Sequence, residues 1–230
     1  MDLLAQSDWP DWETWLWLKW IISFAFMFAF GACAGSFLNV VVYRLPEGMS
    51  VVRPPSRCPS CAGCLKWYQN LPIISWLFLK GRCRFCRCAI SIQYPFIELL
   101  SGLIVAGLAL LLYLPEPGSY WASVGGDWWL LRGFSQSWPA FICWTVPLLG
   151  LLGMFLIDAR TFLIPIEIPF VVTLVCWVLW PIQAVLNAAS GFGPEWPIPE
   201  FGWTGSLVGF GGVLGIFAGV LLLKLSLIHI

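Results

Sequence analysis

Five apolar stretches limit what this chain can become. They lie at about residues 17–42, 96–114, 139–157, 168–186 and 206–223. Crossing the hydrocarbon core of a bilayer as a helix takes roughly 20 residues, and each stretch is about that long. Backbone groups in lipid must bond within their own segment, so each stretch is predicted as a helix rather than as open sheet. Composition agrees. The chain is 60% apolar and 10% charged, where a soluble domain carries about 25% charge. So little polar surface cannot cover a water-soluble fold, and the expected class is an all-α multi-pass membrane protein. Many of the 16 Trp, including Trp9, Trp20, Trp129 and Trp203, flank the apolar runs, where amphipathic rings settle at a bilayer interface. Glycine-rich patches at 31–35 and 209–212 suit close helix approach.

Charge distribution sets the expected orientation. Net charge is zero, but eight of the 12 Lys and Arg lie between residues 44 and 87. Basic loops stay in the cytoplasm. The acidic N-terminus, with Asp2, Asp8, Asp11 and Glu13 and no base, is therefore expected outside. It also lacks the basic start of a cleavable signal peptide. Five spans place Arg160 and Lys224 inside, and Arg132, in a predicted outside loop over 115–138, is the exception. A short basic loop between spans does not favour nucleic acid as partner. Membrane lipid is the surrounding medium.

That basic loop holds six of the nine cysteines. Cys58/Cys61 and Cys83/Cys86 have CxxC spacing, with residues 62–82 between the pairs. Each pair can form a tight knuckle that presents two thiolates to one ion, and two knuckles make a tetrahedral zinc site with Zn–S near 2.3 Å. Cytoplasmic thiols stay reduced, which favours metal over disulfide. Neighbouring Arg57, Arg82, Arg84 and Arg87 are expected to help keep the thiols ionised. Such a small loop needs the folding energy of a metal. Unligated thiols are the plainer reading. Cys64 can replace Cys61 as ligand, or stand spare with Cys88. Cys33, Cys143 and Cys176 fall in apolar spans and read as small core residues.

Asp158 ends the apolar run 147–157. A carboxylate at that depth is costly and suggests function. It reads equally as a helix-end acid pairing with Arg160. Lipid-facing burial raises a carboxyl pKa, and two carboxylates sharing a proton can work as base and acid in peptide hydrolysis. Glu98, opening the second span, is a structural or substrate-facing candidate. Glu167 suits a helix N-terminus. With His229 as the only histidine, a histidine-dependent triad has little to work with.

Several ordered motifs resemble one family. GSFLNVVVYRLP at 35–46 resembles the GSFLNVVIxRLP signature of prepilin peptidases, the type IV leader peptidases. CPSC at 58–61 with NLPIISW at 70–76 is similar to that family's CPxC…NIPxxSW. GRCRFC at 81–86, Ile90-Ser91 and YPFIE at 94–98 resemble GxCxxC…IS…YPxxE. DARTFLIP at 158–165 resembles its first aspartate motif. The resemblance implies a membrane aspartic peptidase of the bacterial inner membrane. It would cut the basic leader of type IV prepilins or type II secretion pseudopilins at the cytoplasmic face. Many members also methylate the new N-terminus with S-adenosylmethionine. Asp158 would be the first catalytic aspartate, and Cys58, Cys61, Cys83 and Cys86 would match the cysteine motif of bifunctional members.

Two departures accompany the resemblance. Acids usual two residues after the catalytic one and just after the proline are Arg160 and Ile166 here. No aspartate follows Asp158, so the GxGD aspartate is missing and the 230-residue chain is expected to be inactive. The expected organisation is an outside N-terminus (1–16), a first span (17–43), a cytoplasmic cysteine domain (44–95), an incomplete peptidase membrane domain (96–224) and an appended, non-native tail (225–230). A non-enzymatic scaffold with a zinc knuckle, and a redox protein using its CxxC pairs, are the rival functions.

Overall fold

The computed structural model describes residues 12–53, 55–58, 60–114, 127–162 and 165–189. The fifth apolar stretch, the glycines at 209–212 and the tail at 225–230 lie outside them. Helix α1 runs Trp12–Arg44. A single 3-10 turn, Trp67–Gln69, and a short helix α2, Ile74–Phe78, punctuate the loop that follows. Helices α3 (Gln93–Tyr113), α4 (Asp127–Thr161) and α5 (Glu167–Ala189) complete the described fold. Among the described residues, four helices are long and apolar enough to span a membrane: Leu18–Arg44, Gln93–Tyr113, Leu131–Thr161 and Glu167–Ala189. They are outwardly greasy, with Phe26, Phe30, Phe155, Trp177 and Val185 all exposed, as lipid-facing surfaces are.

Helix α1 packs closely on α3, and glycine allows it. A Cβ on Gly31 would fall 2.7 Å from the Ser101 carbonyl, and one on Gly35 would fall 2.7 Å from the Ser101 Cβ. Small residues four apart let two backbones meet where lipid offers no hydrophobic drive for association. Asn39 Nδ2 then donates to the Tyr94 carbonyl at 3.1 Å, fixing the register of the pair. Leu38, Val42, Ile97 and Ile157 form one buried cluster of α1, α3 and α4. Val105, Leu112, Trp129, Ala140 and Phe141 form another of α3 and α4.

Side-chain contacts order the ends of the bundle. Asn39 reaches Tyr94 and Arg160 donates to Gln93 Oε1, so the end of α1, the start of α3 and the end of α4 share one side. At the other end the Tyr113 hydroxyl meets Ser137 Oγ at 2.7 Å, and Arg132 donates to Asn187 Oδ1. The four helices therefore alternate in direction.

Helix α4 differs from its sequence-based expectation. The loop expected up to residue 138 is helical from Asp127. Gly133, with φ +63°, breaks the helical geometry where only glycine is comfortable, and Ser137 Oγ donates to its carbonyl at 2.6 Å. Arg132 is thus no outside-loop residue. It is 6% exposed and folded against α5. Trp129, expected at a bilayer interface, is 2% exposed and stacks edge-on to Tyr113.

Candidate functional site

The loop after α1 folds into two knuckles of one design. In the first, the Cys58 amide donates to the Gly63 carbonyl at 3.0 Å, Ala62 takes a left-handed φ of 55°, and Arg57 bridges Cys64. In the second, the Cys83 amide donates to the Cys88 carbonyl at 2.9 Å, Arg87 takes φ 60°, and Arg82 bridges Ala89. Each turn aims its two sulfurs inward. The Sγ atoms of Cys58, Cys61, Cys83 and Cys86 all lie within 4.8 Å of one another. A tetrahedron with Zn–S near 2.3 Å has edges of about 3.8 Å, and Cys58 and Cys86 Sγ are 3.8 Å apart. The four sulfurs fit a structural metal. Cys64 matches Ala89 by position and stays outside the group.

Backbone amides, rather than the arginines, favour the thiolates of Cys58 and Cys83, while Cys61 and Cys86 are raised. The Cys61 amide lowers the Cys58 thiol pKa to about 6, outweighing burial. The Cys86 and Phe85 amides lower Cys83. Arg57, Arg82, Arg84 and Arg87 are exposed, and Arg84 donates to the Tyr68 hydroxyl at 3.3 Å. Water screens such charges, while the turn's N–H groups point at the sulfurs from within.

Sequence reasoning left Cys88 as a spare. Its Sγ is 3.5 Å from Cys58 Sγ. Position 88 corresponds to Gly63 in the first knuckle, so the second carries a thiol that its twin cannot. Although Ser60 favours its anion, the Cys86 and Cys58 sulfurs push the Cys88 thiol up to about 11.

The module is tied to itself and to the membrane helices. Trp76 Nε1 donates to the Ile90 carbonyl at 3.1 Å, and the Ile90 amide donates to Gly81 O at 2.7 Å. A Cβ on Gly81 would meet the Trp76 ring at 2.9 Å. Glu98, buried in α3, accepts from the Ile73 amide at 2.7 Å. Ile73 has φ 60° at the start of α2, a costly geometry for a β-branched residue. Glu98 thus anchors this turn, in line with the structural one of its two readings. A cleft of about 440 Å³ opens between α1 and the module, lined by Ser36, Phe37, Val40, Arg44, Val52 and Asn70 among others.

Asp158 is exposed near the end of α4, directly after the fully buried Ile157. Arg160, the partner its plainer reading required, instead donates to Gln93 Oε1. Glu167 opens α5.

The bacterial peptidase A24 N-terminal domain matches residues 29–112. A prepilin leader peptidase/N-methyltransferase of Myxococcus xanthus (strain DK1622) is 56% identical over 79 residues, 34% of this chain and 24% of that protein. One from Burkholderia pseudomallei (strain 1026b) is 33% identical over 192 residues, 72% of this chain and 55% of that protein. One from Klebsiella pneumoniae is 42% identical over 102 residues, 41% of this chain and 42% of that protein. The chain therefore spans between about a quarter and just over half of these curated relatives. No solved structure matches it. Its glycine-packed helix pair and paired cysteine knuckles fall within the matched segment, so residues 29–112 form a bacterial peptidase A24 N-terminal domain, and the chain is similar to the prepilin leader peptidase/N-methyltransferases.

Proposed function

We propose that this chain serves the cleavage and N-methylation of prepilins, or of type II secretion pseudopilins, at the cytoplasmic face of the inner membrane, with its N-terminus outside. The observation that carries the reading is the Arg160–Gln93 contact, which brings the Asp158 end of α4 to the side of the bundle where the cysteine module begins and ends. The basic residues of that module support this side as the cytoplasmic one. The substrate's basic leader would arrive there.

In this reading Asp158 is one carboxylate of an aspartic-peptidase pair, touching the water or the scissile carbonyl. Cys58, Cys61, Cys83 and Cys86 hold zinc, which when bound supplies folding energy to a module too small for a large core. The cleft beside α1 has the volume of a small-ligand site, which supports methyl transfer from S-adenosylmethionine on the same face.

A domain exchange tests this. Residues 29–112 are placed into the Myxococcus xanthus relative in place of its own segment, and a leader-bearing prepilin is followed by mass spectrometry. Cleavage and methylation should both persist. A folded chimera that does neither would overturn the proposal. The 230-residue chain alone should not cleave, since one aspartate cannot be base and acid at once. Cleavage by it alone would sink the assignment of Asp158 to a dyad.

A further inference from the structure

We propose that Cys88 is a reserve ligand of the metal centre, able to take the place of Cys58. The inference rests on the metal reading above and goes beyond it by adding a fifth thiol. Three observations converge. Cys88 Sγ lies 3.5 Å from Cys58 Sγ, closer than the 3.8 Å between Cys58 and Cys86 within the ligand set. The Cys88 carbonyl accepts from the Cys83 amide at 2.9 Å, so the second knuckle itself holds the residue beside the centre. Its counterpart in the first knuckle is Gly63, so the extra thiol stands on one side only, beside the sulfurs of Cys58 and Cys86.

The substitution balances simply. The Zn–S bond to Cys58 breaks, and the Cys58 thiolate leaves with a proton from water. Cys88 loses its proton to water and forms the new Zn–S bond, so the site keeps four thiolates and its charge. A site of this kind tolerates the loss or alkylation of one ligand. Cys61 has no such substitute at hand, because the sulfurs beside Cys88 are those of Cys58 and Cys86.

The test uses the full chain in detergent, loaded with zinc or cobalt(II). Wild type and Cys88→Ser should each bind one metal with four-thiolate cobalt charge-transfer intensity. Cys58→Ser should keep one metal and that intensity. Cys61→Ser should fall to about three-quarters of it, and Cys58→Ser/Cys88→Ser should lose the metal or fall likewise. If Cys58→Ser matches Cys61→Ser, and adding Cys88→Ser changes nothing, Cys88 is a bystander. Should Cys58→Ser not fold, Cys88→Ser alone decides. It should release zinc to a chelator several-fold faster than wild type, and an unchanged rate overturns the proposal. A wild-type chain that binds no metal removes the metal reading and this inference together, which distinguishes that failure from failure of the reserve role alone.

Discussion

The Gln183 side-chain amide of α5 is inserted into the backbone of α4 at Ala140. Gln183 Oε1 accepts from the Ala140 amide at 3.2 Å, and Nε2 donates to the Gln136 carbonyl at 2.9 Å and to Asn187 Oδ1 at 2.8 Å. Pro139 lies within this turn and is fully buried. Its ring and missing N–H disturb the helical ladder. Gln183 bridges the two groups that an undisturbed turn would pair. Its 1% exposure leaves water no part in this.

Gln183→Leu should therefore destabilise the bundle by about 1–3 kcal/mol, the cost of leaving buried backbone groups unpaired. Pro139→Ala should recover part of that loss by letting Ala140 pair with Gln136 directly. Thermal unfolding in detergent of the two single variants and the double variant measures the coupling. Additive effects would show that the amide does not serve the proline turn.

Glu98 anchors the α2 turn through the Ile73 amide. Glu98→Ala should free that turn and speed proteolysis within residues 66–82, while α3 itself stays helical. Glu98→Gln, which keeps an acceptor oxygen, should be much milder. Equal protection of all three proteins would place the anchor elsewhere.

Gly31 and Gly35 have no room for side chains against Ser101 and Val105. Gly35→Leu should cost about 1–3 kcal/mol or more, as overpacking does. Gly107, with nothing near its missing Cβ, should accept alanine without loss. Detergent melting curves of the two variants should differ accordingly.

The alternating helices and the basic loop predict which thiols face the cytoplasm. In intact cells, a membrane-impermeant maleimide should leave Cys61 and Cys86 unlabelled, although both are exposed. Labelling should appear once inverted vesicles are made and the metal is stripped. Ready labelling in intact cells would reverse the topology.

The sequence alone determined the class of fold, since apolar stretches of membrane length admit little besides helices. It also singled out the two CxxC pairs whose sulfurs the structure gathers, because that spacing closes a knuckle from local geometry alone, but it left Cys64 open as a stand-in for Cys61. The GxxxG approach of α1 was legible as a possibility, but its partner Ser101 was not, since a small residue does not name its neighbour. Other features were decided only by the tertiary structure. Arg132 and Trp129 looked like residues of an outer loop because the next apolar stretch begins only at residue 139. A side chain 43 residues away takes up the Ala140 amide, so helix α4 continues past Pro139, while Gly133 keeps a non-helical kink. The isolated Gln183 in an apolar span was the available clue. Glu98 stood out as a span-end acid, but its bond to Ile73 depends on how a loop folds back over α3. Cys88 looked spare because spacing reports only contacts along the chain. Its closeness to Cys58 arises when two separately closed knuckles dock, and that packing has no local signature.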